Sequence, residues 1–219
     1  MNNINKLFLI FTFCLIELLQ YSLALKGRCY LVPDNDSGVS GFVEFEQESE
    51  TTPVSIKFKI YGVHKIHAFH IHEFGSLKEG CISTGGHYNP TNMTHGGPTD
   101  SIRHNGDLGN LSANKTAIIY EYTDNVITLF GDKSVYGRAC VIHADEDDLG
   151  RGEGQSKING NSGPRTACGI LWPHNPAKSI IFGSIICLIG LVLLIYYFGC
   201  RKPNPYGTKV ANEHEEKNY

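Results

Sequence analysis

Residues 54–63, VSIKFKIYGV, decide the fold class. Val54, Ile56, Phe58 and Ile60 alternate with Ser55, Lys57, Lys59 and Tyr61, the period of two that puts apolar side chains on one face of a strand. Upstream, SGFVEFEQ (40–47) and GRCYLV (27–32) show the same short alternation, separated by turn-rich stretches at 33–36 and 48–53. Downstream, TAIIYEYT (116–123), VITLFGD (126–132) and GRACVIHA (137–144) repeat it. No stretch among them sustains a helical apolar period. Strand signals at such intervals predict an all-β domain, a Greek-key β-sandwich or flattened barrel.

Two stretches interrupt the pattern, residues 75–110 and 144–163, both long, polar and rich in glycine. Loops of that length in a compact domain point to function. His70-Ile71-His72 lies just before the first, and on a strand both imidazoles share one face. Alone, such a pair is more often ordinary polar surface than a ligand pair. His87, His95, His104 and Asp107 place three imidazoles and a carboxylate on the first loop, a donor set that closes a tetrahedral zinc site. His143 follows the apolar Val141-Ile142 and completes a site only through tertiary contact. Several imidazoles with a vacant position suit copper. Seven candidates exceed one such centre, so either two metals bind or some candidates are bystanders.

The ends of the chain carry a different signal. In residues 1–24, Lys6 precedes an apolar run over 7–19 and a Ser22-Leu23-Ala24 exit, which reads as a cleaved secretory signal rather than an uncleaved anchor helix. Residues 179–200 hold no charge, are long enough to cross a hydrocarbon core, and are followed by Arg201 and Lys202. These features predict a single type I span with residues 201–219 as a cytoplasmic tail. A lipid-anchor signal is the rival, but its apolar tail should end the chain. Residues 25–172 then form the extracellular domain and 173–178 a stalk where the protein is open to shedding. Four N-x-Ser/Thr sequons, at Asn35, Asn92, Asn110 and Asn114, fall in the domain as glycan candidates. The net charge of -3 comes without a long basic block, so nothing recommends a nucleic-acid partner.

HAFHIHEFG (67–75), GHYNP (86–90), HGGP (95–98), RHNGDLGN (103–110), VIHADEDDLG (141–150) and GPRTACGI (163–170), in this order, resemble the successive signature segments of the Cu/Zn superoxide dismutases. The resemblance covers about residues 27–172. It implies one copper per chain on His70, His72, His87 and His143, and one zinc on His87, His95, His104 and Asp107, with His87 bridging. It further implies that Asp147 hydrogen-bonds His70 and His95, that Arg165 attracts the superoxide anion, and that Cys81 and Cys168 form a disulfide. Cys29 and Cys140 are expected as buried thiols, with a second bridge left open. Lys157 is similar in place to a lysine that guides the anion. The implied activity is dismutation of superoxide to oxygen and hydrogen peroxide, with Arg165 and His87 as catalytic residues.

Lys65, Ser76 and Trp172 depart from what is common in cytosolic members, and two of the three lie near the usual dimer contact, which weakens the expectation of a homodimer. A zinc hydrolase would need an open zinc position and a general base; Asp107 closes that position. A metal-bearing surface recognition module with little catalytic activity stays open as the alternative, because a sandwich can keep its ligands for stability.

Overall fold

The computed structural model describes residues 24–174. The expected signal, span and tail, and the stalk beyond His174, lie outside the described residues. Nine strands run in order: β1 (Leu25–Pro33), β2 (Ser40–Gln47), β3 (Val54–Tyr61), β4 (Ile66–His72), β5 (Lys78–Cys81), β6 (Asp107–Ser112), β7 (Ala117–Asp124), β8 (Ala139–His143) and β9 (Arg165–Pro173). The described helices are a 3-10 turn at Ile82–Thr84 and α1 (Ser156–Asn159), a single turn. Among the described residues no helix is long and apolar enough to cross a membrane.

Alternation works as the sequence implies in β3. Val54, Ile56, Phe58 and Ile60 are fully or almost fully buried while Lys57, Lys59 and Tyr61 face out. Burying a side chain such as Phe58 contributes roughly 1.5–3 kcal/mol, and its ring meets Phe69 of β4 edge-on at 5.1 Å. Eight strands form one antiparallel sheet in the order β6-β4-β8-β9-β1-β2-β3-β7. The connections β3 to β4 and β7 to β8 cross over, and the sheet curls into a nearly closed barrel around Phe45, Phe58, Phe69, Ile71, Leu111 and Leu171.

The barrel stays open where β6 and β7, its two edges, face each other. Side chains span that seam. Tyr122 Oη donates to Leu108 O at 3.0 Å, and Arg103 donates to Asp107 O and to Asp124 Oδ2, each at 2.5 Å. On the other side β1 and β9 pair antiparallel, Gly27 opposite Pro173, and His174 N donates to Lys26 O at 2.6 Å. The two ends of the described domain therefore leave the barrel side by side.

Two expectations are corrected. VITLFGD forms no strand, because side chains satisfy its backbone instead of a neighbouring ladder. Asp124 Oδ1 accepts from Val126 N and Ile127 N, and Gln47 Oε1 accepts from Leu129 N. Ile127 and Leu129 still reach the core. The first long loop ends earlier than residue 110, since Asp107 opens β6 opposite His70.

Candidate metal centre

β4 shows why a strand can carry a metal site. Phe69 and Ile71 enter the core while His70 and His72 point the other way, yet all four are buried. The long segments after β4 and β8 cover that outer face. Ladder register shifts occur between Ala68 and His70, and between Ile142 and His143. Such bulges re-aim side chains, and both fall at imidazoles of the site.

Seven side chains converge as two quartets. His70, His72, His87 and His143 each offer an atom within 4.8 Å of the others, and so do His87, His95, His104 and Asp107. All seven are buried. His87 belongs to both groups: its Nδ1 lies 2.8 Å from Asp107 Oδ1, and its Nε2 is buried without a hydrogen-bond partner. Backbone carbonyls orient two further rings. His72 Nδ1 donates to Gly85 O at 2.9 Å and His143 Nδ1 to Gly163 O at 3.1 Å, leaving their Nε2 atoms 3.2 Å apart.

A third group, His70, His95 and Asp147, has another explanation. Asp147 accepts from His70 Nε2 through one oxygen and from His95 Nε2 through the other, both at 2.8 Å. The opposite nitrogens, His70 Nδ1 and His95 Nδ1, are buried and unpartnered; His95 Nδ1 is 3.0 Å from Asp107 Oδ2 but out of hydrogen-bond alignment. Asp147 thus sets which nitrogen each ring turns to its quartet. An unsatisfied buried polar atom costs about 1–3 kcal/mol. Three such nitrogens in the two quartets fit metal ligands: four imidazoles for copper, three and a carboxylate for zinc.

The electrostatics agree. Burial, then the neighbouring His87 and His143, pushes His70 and His72 well below the ordinary histidine value. Burial also takes His143 down to about 4 and lowers His87, against the pull of Asp107. Neutral imidazoles are the ligating form. His95 differs: burial opposes its charge too, but the carboxylates on either side, Asp107 3.0 Å from Nδ1 and Asp147 hydrogen-bonded to Nε2, outweigh it and raise the ring to about 9. Asp107, although burial resists its charge, is held far below the carboxylate range by His104, His87 and His95.

An open cleft of about 470 Å³ leads to His72, His87 and His143, with Arg165 and Lys157 on its wall. Arg165 is half-buried and fixed by carbonyls: Nη1 donates to Cys81 O at 2.6 Å and Ile82 O at 3.0 Å, and Nη2 to Gly85 O at 2.6 Å. Cys81 and Cys168 form a disulfide, Cα to Cα 5.7 Å. It ties the segment holding those carbonyls to the strand that begins with Arg165. Cys29 and Cys140 are free, buried thiols, and burial, then contact with Cys29, pushes Cys140 well up. Another cleft of 450 Å³, beside Gln47, Glu50 and Asn125, has no imidazole or thiol.

Three contributors escaped the sequence reading. Asn110 clamps Asp147 from both sides, Nδ2 donating to its carbonyl and Oδ1 accepting from its N–H, each at 2.8 Å. In the sequence it is visible as a sequon, yet its amide nitrogen is engaged; Asn35, Asn92 and Asn114 are exposed. Gly160 packs onto the site so closely that a Cβ there would lie 1.8 Å from Asp147 Oδ1. His67 Nδ1 donates to His143 O at 2.8 Å; its place in HAFHIHEFG was the available signal.

Residues 39–171 match the family model described as copper/zinc superoxide dismutase. Superoxide dismutase (Cu-Zn) 5 of Dictyostelium discoideum is 50% identical over 137 residues, 61% of this chain and 90% of that protein. The Cu-Zn superoxide dismutases of Saccharomyces cerevisiae and Yarrowia lipolytica are 46% and 48% identical over 140 residues, 62% of this chain and 91% of each. The chain belongs to the copper/zinc superoxide dismutase family, oxidoreductases whose cofactors are copper and zinc.

Proposed function

We propose that this domain converts two superoxide anions and two protons to oxygen and hydrogen peroxide, with copper held by His70, His72, His87 and His143 and zinc by His87, His95, His104 and Asp107. One observation carries the reading: a single imidazole, His87, belongs to both quartets, with Nδ1 against Asp107 and Nε2 buried and unpartnered. When bound, copper supplies a one-electron couple, and zinc supplies a fixed charge that tunes the shared ring. Arg165 draws the anion into the cleft; its guanidinium is set by four contacts to the segment after Cys81. His87 Nε2 carries a proton between the two halves of the reaction and yields it as peroxide leaves. Asp147 keeps His70 and His95 turned to their quartets.

The setting belongs to the same reading. A cleaved signal at 1–24 and a span at 179–200 display the domain on the outer face of a cell membrane, where an oxidising environment preserves Cys81–Cys168. Homodimer association is part of the proposal, favoured by the local concentration that tethering gives. Glycans are expected on exposed Asn35, Asn92 or Asn114 and absent from Asn110.

The test is metal content and superoxide consumption of the loaded chain beside Arg165→Ala. One copper and one zinc per chain are expected. Arg165→Ala should lose about tenfold or more in rate at low salt, the gap shrinking as salt rises. A fully metallated chain that consumes no superoxide would instead support the recognition module. For the setting, protease should reach the domain on intact cells; protection until the cells are opened would overturn outward display.

A further inference from the structure

Lys157 is similar in place to a guiding lysine, yet its ammonium is engaged at the wall of the cleft. Nζ donates to Gly150 O at 2.5 Å, while the Lys157 carbonyl accepts from His95 N at 3.0 Å. One residue therefore joins two segments, the His95 segment through its carbonyl and, through its ammonium, the Gly150 end of the loop to which it belongs. The first carries His95 of the zinc-type quartet. The second begins at Asp147, whose carboxylate touches both His70 and His95.

The space between the segments is closed. A Cβ on Gly150 would come within 2.6 Å of His95 O, and one on Gly160 within 2.5 Å of His95 Nε2. With so little slack, movement of the Gly150 segment shifts the backbone of His95 directly. Lys157 is also exposed at its surface side, so its substitution removes the bond without opening the core.

We infer that Lys157 is a positioning residue, a clasp that keeps the segment after Asp147 against His95 and so holds the zinc-side ligands in register. The inference rests on the zinc reading of the quartet. It differs from a guiding role in what it affects. A guiding cation changes how the superoxide rate responds to salt; a clasp changes how long zinc stays.

The experiment uses the full metal-loaded chain, with Lys157→Met, which keeps the length and loses the donor, and Lys157→Arg, which keeps a donor. Zinc release is followed as metal captured by an excess of a colour-forming chelator, and backbone circular dichroism checks that each chain is folded. Lys157→Met should release zinc about tenfold faster, the scale of losing a contact that orients a ligand, and Lys157→Arg should return release close to the parent rate. Release from Lys157→Met as slow as from the parent overturns the clasp, whatever happens to the salt dependence. Equal acceleration by both variants also overturns it. A parent chain that binds no zinc is a separate result: it removes the quartet reading and the clasp with it. Should Lys157→Met fail to fold, Lys157→Leu, which also lacks a donor, is read in the same way.

Discussion

At Gly160 the backbone takes φ +64 and sits where any side chain would strike the Asp147 carboxylate and the His95 ring. Left-handed backbone costs a residue with a Cβ roughly 1–2 kcal/mol, and here the collision falls on the group that orients two imidazoles. Gly160→Ala is therefore expected to lower stability by about 1–3 kcal/mol and to reduce zinc content, read by chemical denaturation and elemental analysis. Full zinc occupancy in that variant would show that Asp147 has room to move. Residues of this kind were hard to read from the chain. The imidazoles declared themselves through chemistry and family likeness. Gly160 and Asn110 act by touching Asp147, a contact that tertiary structure alone creates, and nothing in a lone glycine or a sequon announces it. Lys157 stands out by its place in the second loop, but the direction of its side chain is not legible in the chain.

Among the elements, β3 was legible because alternation suffices where one face is buried and the other wet. β4 was legible in its pairing of His70 and His72, although its burial on both faces depends on the covering loops. The stretch 126–132 misled because an apolar alternation also serves a turn that plugs the core, once Asp124 and Gln47 satisfy the backbone. Asp124 works at a second place, pairing with Arg103 in the seam between β6 and β7 with both side chains almost fully buried. Removing one partner leaves an uncompensated buried charge, which costs about 3–5 kcal/mol. Asp124→Ala should destabilise the domain on that scale and speed amide exchange in β6 and β7 more than in β1 and β2. Uniform exchange across all four strands would show that the seam is not held locally.

For the whole molecule, the site makes stability depend on pH in a way that metal should alter. His95 is raised to about 9, so its contribution is complete below the unfolded histidine value near 6.5 and is lost as pH rises through about 9. His143 is lowered to about 4. Between 6.5 and 4 the unfolded chain takes up a proton that the folded ring refuses, and stability falls as pH falls. His70 and His72, also lowered, add to the acid limb. Chain stripped of metal should therefore be most stable at roughly pH 6.5–7 and weaken on both sides. Loading zinc should flatten the alkaline limb, because a ligating His95 has already given up its proton. Urea titrations across pH 5–9, with and without metal, check this; an alkaline limb unchanged by zinc would mean that His95 does not ligate.

The pairing of β1 with β9 adds a mechanical property. Because Gly27 lies opposite Pro173 and the two ends leave together, tension applied between those two ends loads the ladder one rung at a time, as on a zipper, rather than shearing all rungs at once. Unzipping from Pro173 runs toward Cys168, where the bond to Cys81 acts as a stop. Arg165 and the carbonyls that hold it lie beyond that stop. A tug between the two ends can fray the last rungs of β9 while the arginine at its other end keeps its place.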